Sequence, residues 1–135
     1  MVTYSEAFFI MGDKKKIKKE LDTLWSKAVK LRAGGRCEIC GKEYGINSHH
    51  VIGRVNYNLR WDLRNGVALC ISHHKFGVFS AHENPIYFMS WFKKHRPEDY
   101  EYIKNPEFTK FKTWYISDYE EIKAKLKEEL DEIRQ

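Results

Sequence analysis

The sequence predicts an α+β domain in which two short strands, held together by metal-binding turns, lie between amphipathic helices at either end. Three observations carry this. Cys37-Glu-Ile-Cys40 and Cys70-Ile-Ser-His73 are two ligand pairs at knuckle spacing, with 29 residues between them. Ile46–Ile52 and Gly66–Cys70 read as short apolar strands bounded by turn residues. Lys14–Leu31 and the segment after Ser117 carry apolar residues at helical spacing. With 135 residues in all, the chain has room for one domain (1–135) and a modest core.

Taken in chain order, Ile17, Leu21, Leu24, Ala28 and Leu31 form one stripe of a helix over about 13–33, with lysines on its other faces. Gly34-Gly35 stops it. "RCEICGKEYG" reads as a tight turn, with Gly41 where a knuckle needs positive φ. The stretch "GRVNYNLRWDLRN" is a polar loop anchored by Trp61 and Leu63. "GVALC" is the second strand, and "ISHHKFGVF" a turn entering a short helix. Asn84-Pro85 caps and opens a helix through Phe88, Trp91 and Phe92 that ends near Arg96-Pro97, closing a core of about 34–96. Residues 98–116 are mixed loop and short helix. Ser117-x-x-Glu120 is a capping box opening a helix that carries Tyr119, Ile122, Leu126, Leu130 and Ile133, within a helical extension over about 97–135.

Charge is unevenly spread. Residues 1–82 hold 14 Lys and Arg against 7 Asp and Glu, a balance of +7, and residues 83–135 hold 10 against 12, a balance of −2. The basic part contains five of the six histidines and all three cysteines. A positive field around candidate metal ligands points to a polyanionic partner, of which nucleic acid is the commonest. No apolar run is long enough to span a bilayer, and the N-terminal basic cluster follows the apolar part, the reverse of a signal peptide. The expectation is a soluble cytoplasmic protein with no membrane partner. Both terminal helices read first as packing against the core. A DNA-tracking face at Lys14–Lys19 and a homodimer seam along Ile122–Ile133 are the sharper readings, though two heptads are short for a coiled coil.

Two-residue spacing lets both ligands of a knuckle face one ion, so Cys37, Cys40, Cys70 and His73 predict a closed tetrahedral Zn²⁺ site, structural and without chemistry of its own. A redox pair at Cys37/Cys40 is the alternative, but it should sit in a βαβ pattern, which is absent. Three cysteines make a poor disulfide framework.

His49, His50 and His74 remain near this frame. Adjacent strand residues point to opposite faces, so His49 and His50 cannot serve the same partner from the same side. "HH" at 49–50, Asn65 fifteen residues after His50, and His74 nine after Asn65 resemble the HNH nuclease motif on a ββα-metal (His-Me finger) fold. The likeness is to phage and prophage HNH proteins with zinc knuckles. Their pattern "LC-x-x-CH" stands here as "LCISHH", with His73 in place of the fourth cysteine and His74 as the last motif histidine. It covers about residues 32–96. A weaker likeness, through "GR…LR.D..N…LC..(C/H)H", extends to lambdoid-phage recombination endonucleases.

The resemblance implies a ββα-metal core with a structural zinc site, flanked by N- and C-terminal helices. It implies a DNA endonuclease or nickase that leaves 5′-phosphate and 3′-hydroxyl ends, phage or prophage encoded and working in the cytoplasm of a bacterial host. His50 would be the general base, His49 and His74 would bind a divalent cation, and Asn65 would hold the loop so that His50 presents the correct nitrogen. Where some HNH enzymes have a further ligand four residues past the last histidine, this chain has Val78. With two protein ligands, Mg²⁺ or Mn²⁺ is favoured, with Ni²⁺ or Zn²⁺ left open. His82 stands as an accessory residue or late ligand. Arg54, Arg60, Arg64 and Lys75 are candidate contacts to the DNA backbone. Phage packaging or recombination proteins are candidate partners. The alternative reading is a non-catalytic, zinc-stabilised module that binds DNA or a packaging protein.

Overall fold

In the computed structural model, which describes residues 2–135, the first helix, α1, spans Tyr4–Arg32. It begins thirteen residues upstream of Ile17, the first residue of the apolar stripe. The extra turns have no buried face, since residues 2–13 are all exposed. What starts the helix is a capping box: the Thr3 hydroxyl accepts the Glu6 N–H, and the Glu6 carboxylate accepts the Thr3 N–H. From Ile17 onward α1 buries Ile17, Leu21, Trp25, Ala28 and Val29. Leu31, predicted to be in the stripe, is exposed, and Trp25 takes the central place in the helix's contact face.

The chain then turns through the first knuckle, where Gly41 has φ +77°, a value that favours glycine. Strand β1 (Ile46–His50) pairs antiparallel with β2 (Gly66–Cys70), Ile46 opposite Cys70 and His50 opposite Gly66. The first strand ends two residues before the predicted Ile52, because Asn65 takes over the backbone of Ile52. One face of the pair meets α1: Ser48 and Ser26 exchange hydrogen bonds, and His50 lies on Trp25. The approach is close. A Cβ on Gly66 would stand 2.5 Å from Val29 and 2.8 Å from Trp25. The other face, with Val67 and Leu69, packs on Phe88 and Phe92 of α3 (Pro85–His95).

Between the strands lie α2 (Tyr57–Arg60) and a 3₁₀ turn at Leu63–Asn65. Trp61 and Leu63 are buried here as anchors. After β2 comes a π-helical turn at Ser72–Phe76. The Asn84 side chain caps α3 by accepting the Tyr87 N–H, with Pro85 at the first position. A short α4 (Pro97–Ile103) and a 3₁₀ turn (Pro106–Thr109) lead through an extended stretch to α5 (Ile116–Arg134).

The start of α5 corrects the predicted capping box. Ser117 lies inside the first turn, and the Asp118 carboxylate, not Glu120, reaches back to the Tyr115 N–H at 2.8 Å. Tyr119, Leu126 and Leu130 are buried against α1, with Ile122 and Ile133 beside them. The stripe read as a homodimer seam is therefore occupied within the chain. Lys123 pairs with Glu20 across the same helix contact at 2.7 Å. Among the described residues no helix is long and apolar enough to cross a membrane.

Candidate functional site

The strand register puts two groups of ligands at different places along one frame. Near the Ile46–Cys70 end, Cys37, Cys40, Cys70 and His73 bring their ligand atoms within 4.8 Å of one another. Cys40 Sγ and Cys70 Sγ are 3.8 Å apart, and His73 Nδ1 is 3.3 Å from Cys70 Sγ and 3.8 Å from Cys37 Sγ. Thiolates bound tetrahedrally at about 2.3 Å stand about 3.8 Å apart, so the four residues fit one zinc ion. None of the cysteines is disulfide-bonded.

His73 and His74 divide between two clusters. The π turn sends His73 to the cysteines and His74 to His49 and His82, whose ring nitrogens lie within 4.8 Å of each other. His82 joins because the chain folds back on the turn: Ala81 N–H bonds the His73 carbonyl and His82 N–H the His74 carbonyl. His74 Nε2 and His82 Nε2 are 3.0 Å apart. Two imidazole nitrogens on one ion at about 2.0–2.1 Å are separated by about 2.9 Å at right angles and about 3.4 Å tetrahedrally. His74 Nδ1 is buried with no hydrogen-bond partner. Burial, reinforced by the neighbouring imidazoles, pushes His49 down to about 3 and His74 to about 4. Both rings are thus neutral at neutral pH, the form that ligates.

The strand alternation separates the other imidazole. His49 faces Phe88 at 5.0 Å, on the α3 side, and His50 stacks on Trp25, on the α1 side. His50 Nε2 lies 2.9 Å from the Arg60 carbonyl. A carbonyl only accepts, so Nε2 carries the proton and Nδ1 keeps its lone pair. Burial lowers the His50 pKa to about 4, against the pull of that carbonyl. Both histidines nonetheless border one open cleft of about 630 Å³, together with Arg54, His74, Lys75 and His82.

Asn65 is buried and fully committed. Its Oδ1 accepts the Ile52 N–H, and its Nδ2 donates to the carbonyls of Ile52 and Leu59. It thus clasps both ends of the loop that carries the Arg60 carbonyl. Of the four candidate backbone contacts, Arg54 (side chain 61% exposed) and Lys75 border the cleft. Arg60 is 13% exposed and gives both Nε and Nη2 to the Asp22 carboxylate, and Arg64 lies over the Tyr102 ring, 4.1 Å from its centroid, away from the cleft. The lysine face expected at Lys14–Lys19 is partly engaged within the chain. Lys14 holds the Trp114 carbonyl and Lys18 the Tyr57 hydroxyl, while Lys19, Lys27 and Lys30 line a hollow that adjoins the cleft at Asp22 and Ser26.

Two contributors from α1 carry no motif: Trp25 under His50, and Asp22, which accepts from Arg60, Arg54 and Trp61. The visible signal for Trp25 was its four-residue step from Leu21. Burial alone would raise the Asp22 carboxyl, but hydrogen bonds from Arg60 and Trp61 hold it below the usual carboxylate range. No protein family, curated protein or solved structure matches the chain.

Proposed function

We propose that this chain is a metal-dependent DNA endonuclease or nickase built on a ββα-metal core, with a structural zinc ion held by Cys37, Cys40, Cys70 and His73. One observation carries the reading. A neutral imidazole with a fixed tautomer, His50, and a three-imidazole cluster, His49, His74 and His82, open from opposite faces of one strand into the same cleft.

His50 takes the proton from a water in line with the scissile phosphorus, using the lone pair on Nδ1 that the Arg60 carbonyl leaves free. Trp25 and the Asn65-clasped loop hold the ring at the cleft wall. Arg54 and Lys75 orient the phosphodiester. His49, His74 and His82 would hold a divalent ion, which when bound would supply charge neutralisation at the phosphate. Its ligands would number three rather than the two expected from the motif, since His82 fills the role left open at Val78. An all-imidazole set favours Ni²⁺, Zn²⁺ or Mn²⁺ over Mg²⁺, which prefers oxygen ligands.

The test is incubation of the purified chain with supercoiled plasmid across Mg²⁺, Mn²⁺, Ni²⁺ and Zn²⁺. Nicked or linear product with 5′-phosphate ends is expected, strongest with Mn²⁺ or Ni²⁺. Plasmid that is bound but left intact with every ion would overturn the nuclease reading in favour of a non-catalytic zinc module.

A further inference from the structure

Beside the histidine cleft runs a second groove of about 480 Å³ that no motif covers. Val55, Asn56 and Asn58 form one wall, and Phe108, Phe111 and Trp114 the other. The second wall belongs to the extended stretch between the 3₁₀ turn at Pro106–Thr109 and α5, and side chains pin it in place. Asn56 Nδ2 and Asn58 Nδ2 donate to the Phe108 carbonyl at 2.9 and 3.1 Å, and Lys14 Nζ to the Trp114 carbonyl at 2.9 Å. The groove is therefore built, not a gap beside a free strand.

Its surface is unusual for a chain exposing this much charge. Phe111 and Val55 are each 95% exposed and flank the same hollow. The run Lys110-Phe111-Lys112-Thr113-Trp114 alternates cations with aromatic faces, and Lys112 Nζ lies 4.2 Å from the Trp114 ring centroid. Lys110 pairs with the exposed Glu107 at 2.9 Å and Lys112 with the half-buried Asp118 at 3.4 Å, and a phosphate readily replaces such contacts near the surface. Flat apolar faces and cations at phosphate reach together match an unpaired nucleotide, which offers a base to stack and a phosphate. Val55 borders both this groove and the cleft, so the two adjoin.

We infer that this groove binds the unpaired bases of a DNA strand whose backbone crosses the histidine cleft, so that the substrate is single-stranded or branched at the cut. The inference rests on the nuclease reading for the cleft alone; base binding in the groove is separable from it.

The experiment uses the full chain, zinc-loaded and with no other divalent ion. A fluorescein-labelled oligothymidylate of roughly a dozen nucleotides is titrated by anisotropy against the parent, Phe111→Ala and Val55→Ser. Blunt duplex of the same length serves as control. Both positions are almost fully exposed, so neither change disturbs packing. Phe111→Ala should weaken oligothymidylate binding roughly tenfold, in line with loss of one stacked base, and leave duplex binding unchanged. Equal binding by parent and Phe111→Ala overturns the inference, as does failure of the parent to bind the oligonucleotide, which would give the groove to a protein segment. Phe111-dependent binding without cleavage under any metal upholds the groove and sinks the nuclease reading. Cleavage of blunt and flapped duplex at equal rates, unaffected by Phe111→Ala, does the reverse.

Discussion

The imidazole of His50 lies flat on the indole of Trp25, ring centroids 3.9 Å apart and planes within 12° of parallel. The indole in turn donates its Nε1–H to the Asp62 carbonyl at 2.9 Å. A helix outside the two-strand frame thus sets the position of the proposed base. Trp25→Phe keeps a ring under His50 and gives up the Asp62 bond, at about 1 kcal/mol. Trp25→Ala should cost about 3–5 kcal/mol of stability, measurable by urea melts. In Trp25→Phe, kcat for plasmid nicking should fall while KM holds; an unchanged kcat would show that Trp25 only packs.

His50→Ala should abolish nicking by about 10²–10⁴-fold, the usual contribution of a general base. The far-UV spectrum and plasmid binding should be those of the parent. Activity within a few-fold of the parent would move the base elsewhere.

The two histidine-bearing clusters predict two ions of different character. Elemental analysis of the chain loaded with excess Co²⁺ should find two equivalents, one of them with thiolate-to-metal absorption. His82→Ala should retain the thiolate band and lose the second equivalent, with nicking reduced to the level of the ion-free chain. Retention of both equivalents would remove His82 from the ligand set.

Cys40→Ser or His73→Ala should lower the melting temperature of the whole chain, because metal binding and folding are linked in such sites. A strong chelator should do the same to the parent. The two variants test the same ion, so a change in one alone would contradict a shared site.

Acid sensitivity follows from His50 and Asp22. His50 is held to about 4 in the folded chain against 6.5 for a free imidazole. The unfolded chain therefore binds the proton first, and stability declines as pH falls from about 6.5 towards 4. The Asp22 carboxyl is depressed, so its contribution is present above the unfolded value near 3.8 and is lost as pH falls below it. Urea melts of the parent and His50→Ala should therefore converge or cross between pH 7 and 4. Asp22→Asn should cost about 1–3 kcal/mol at neutral pH by leaving Arg60 without its carboxylate.

Some of this was legible residue by residue. The Cys-x₂-Cys and Cys-x₂-His spacings encode a local turn, which needs no distant partner, and so Cys37, Cys40, Cys70 and His73 could be grouped from the sequence. The period-2 geometry of a strand was enough to part His49 from His50. Asn84-Pro85 marks its helix start for the same local reason. Where two signals competed, the reading slipped. Ser117-x-x-Glu120 and Tyr115-x-x-Asp118 both have a carboxylate at box spacing, and the helix starts from the earlier one, with Asp118 accepting the Tyr115 N–H.

What depended on the tertiary structure is everything that crosses between elements. His82 becomes a third imidazole only because the 77–82 loop hydrogen-bonds back onto the π turn, a contact with no periodic trace. Arg60 reads as a free cation until α1 brings Asp22 against it, which turns its guanidinium into a clamp and leaves its carbonyl to set the His50 tautomer. The α5 stripe shows an apolar face but not what covers it, because periodicity records that a surface is buried and says nothing of its partner; packing on α1 decided that. Local chemistry is written in spacing, whereas the choice among long-range partners belongs to the folded chain.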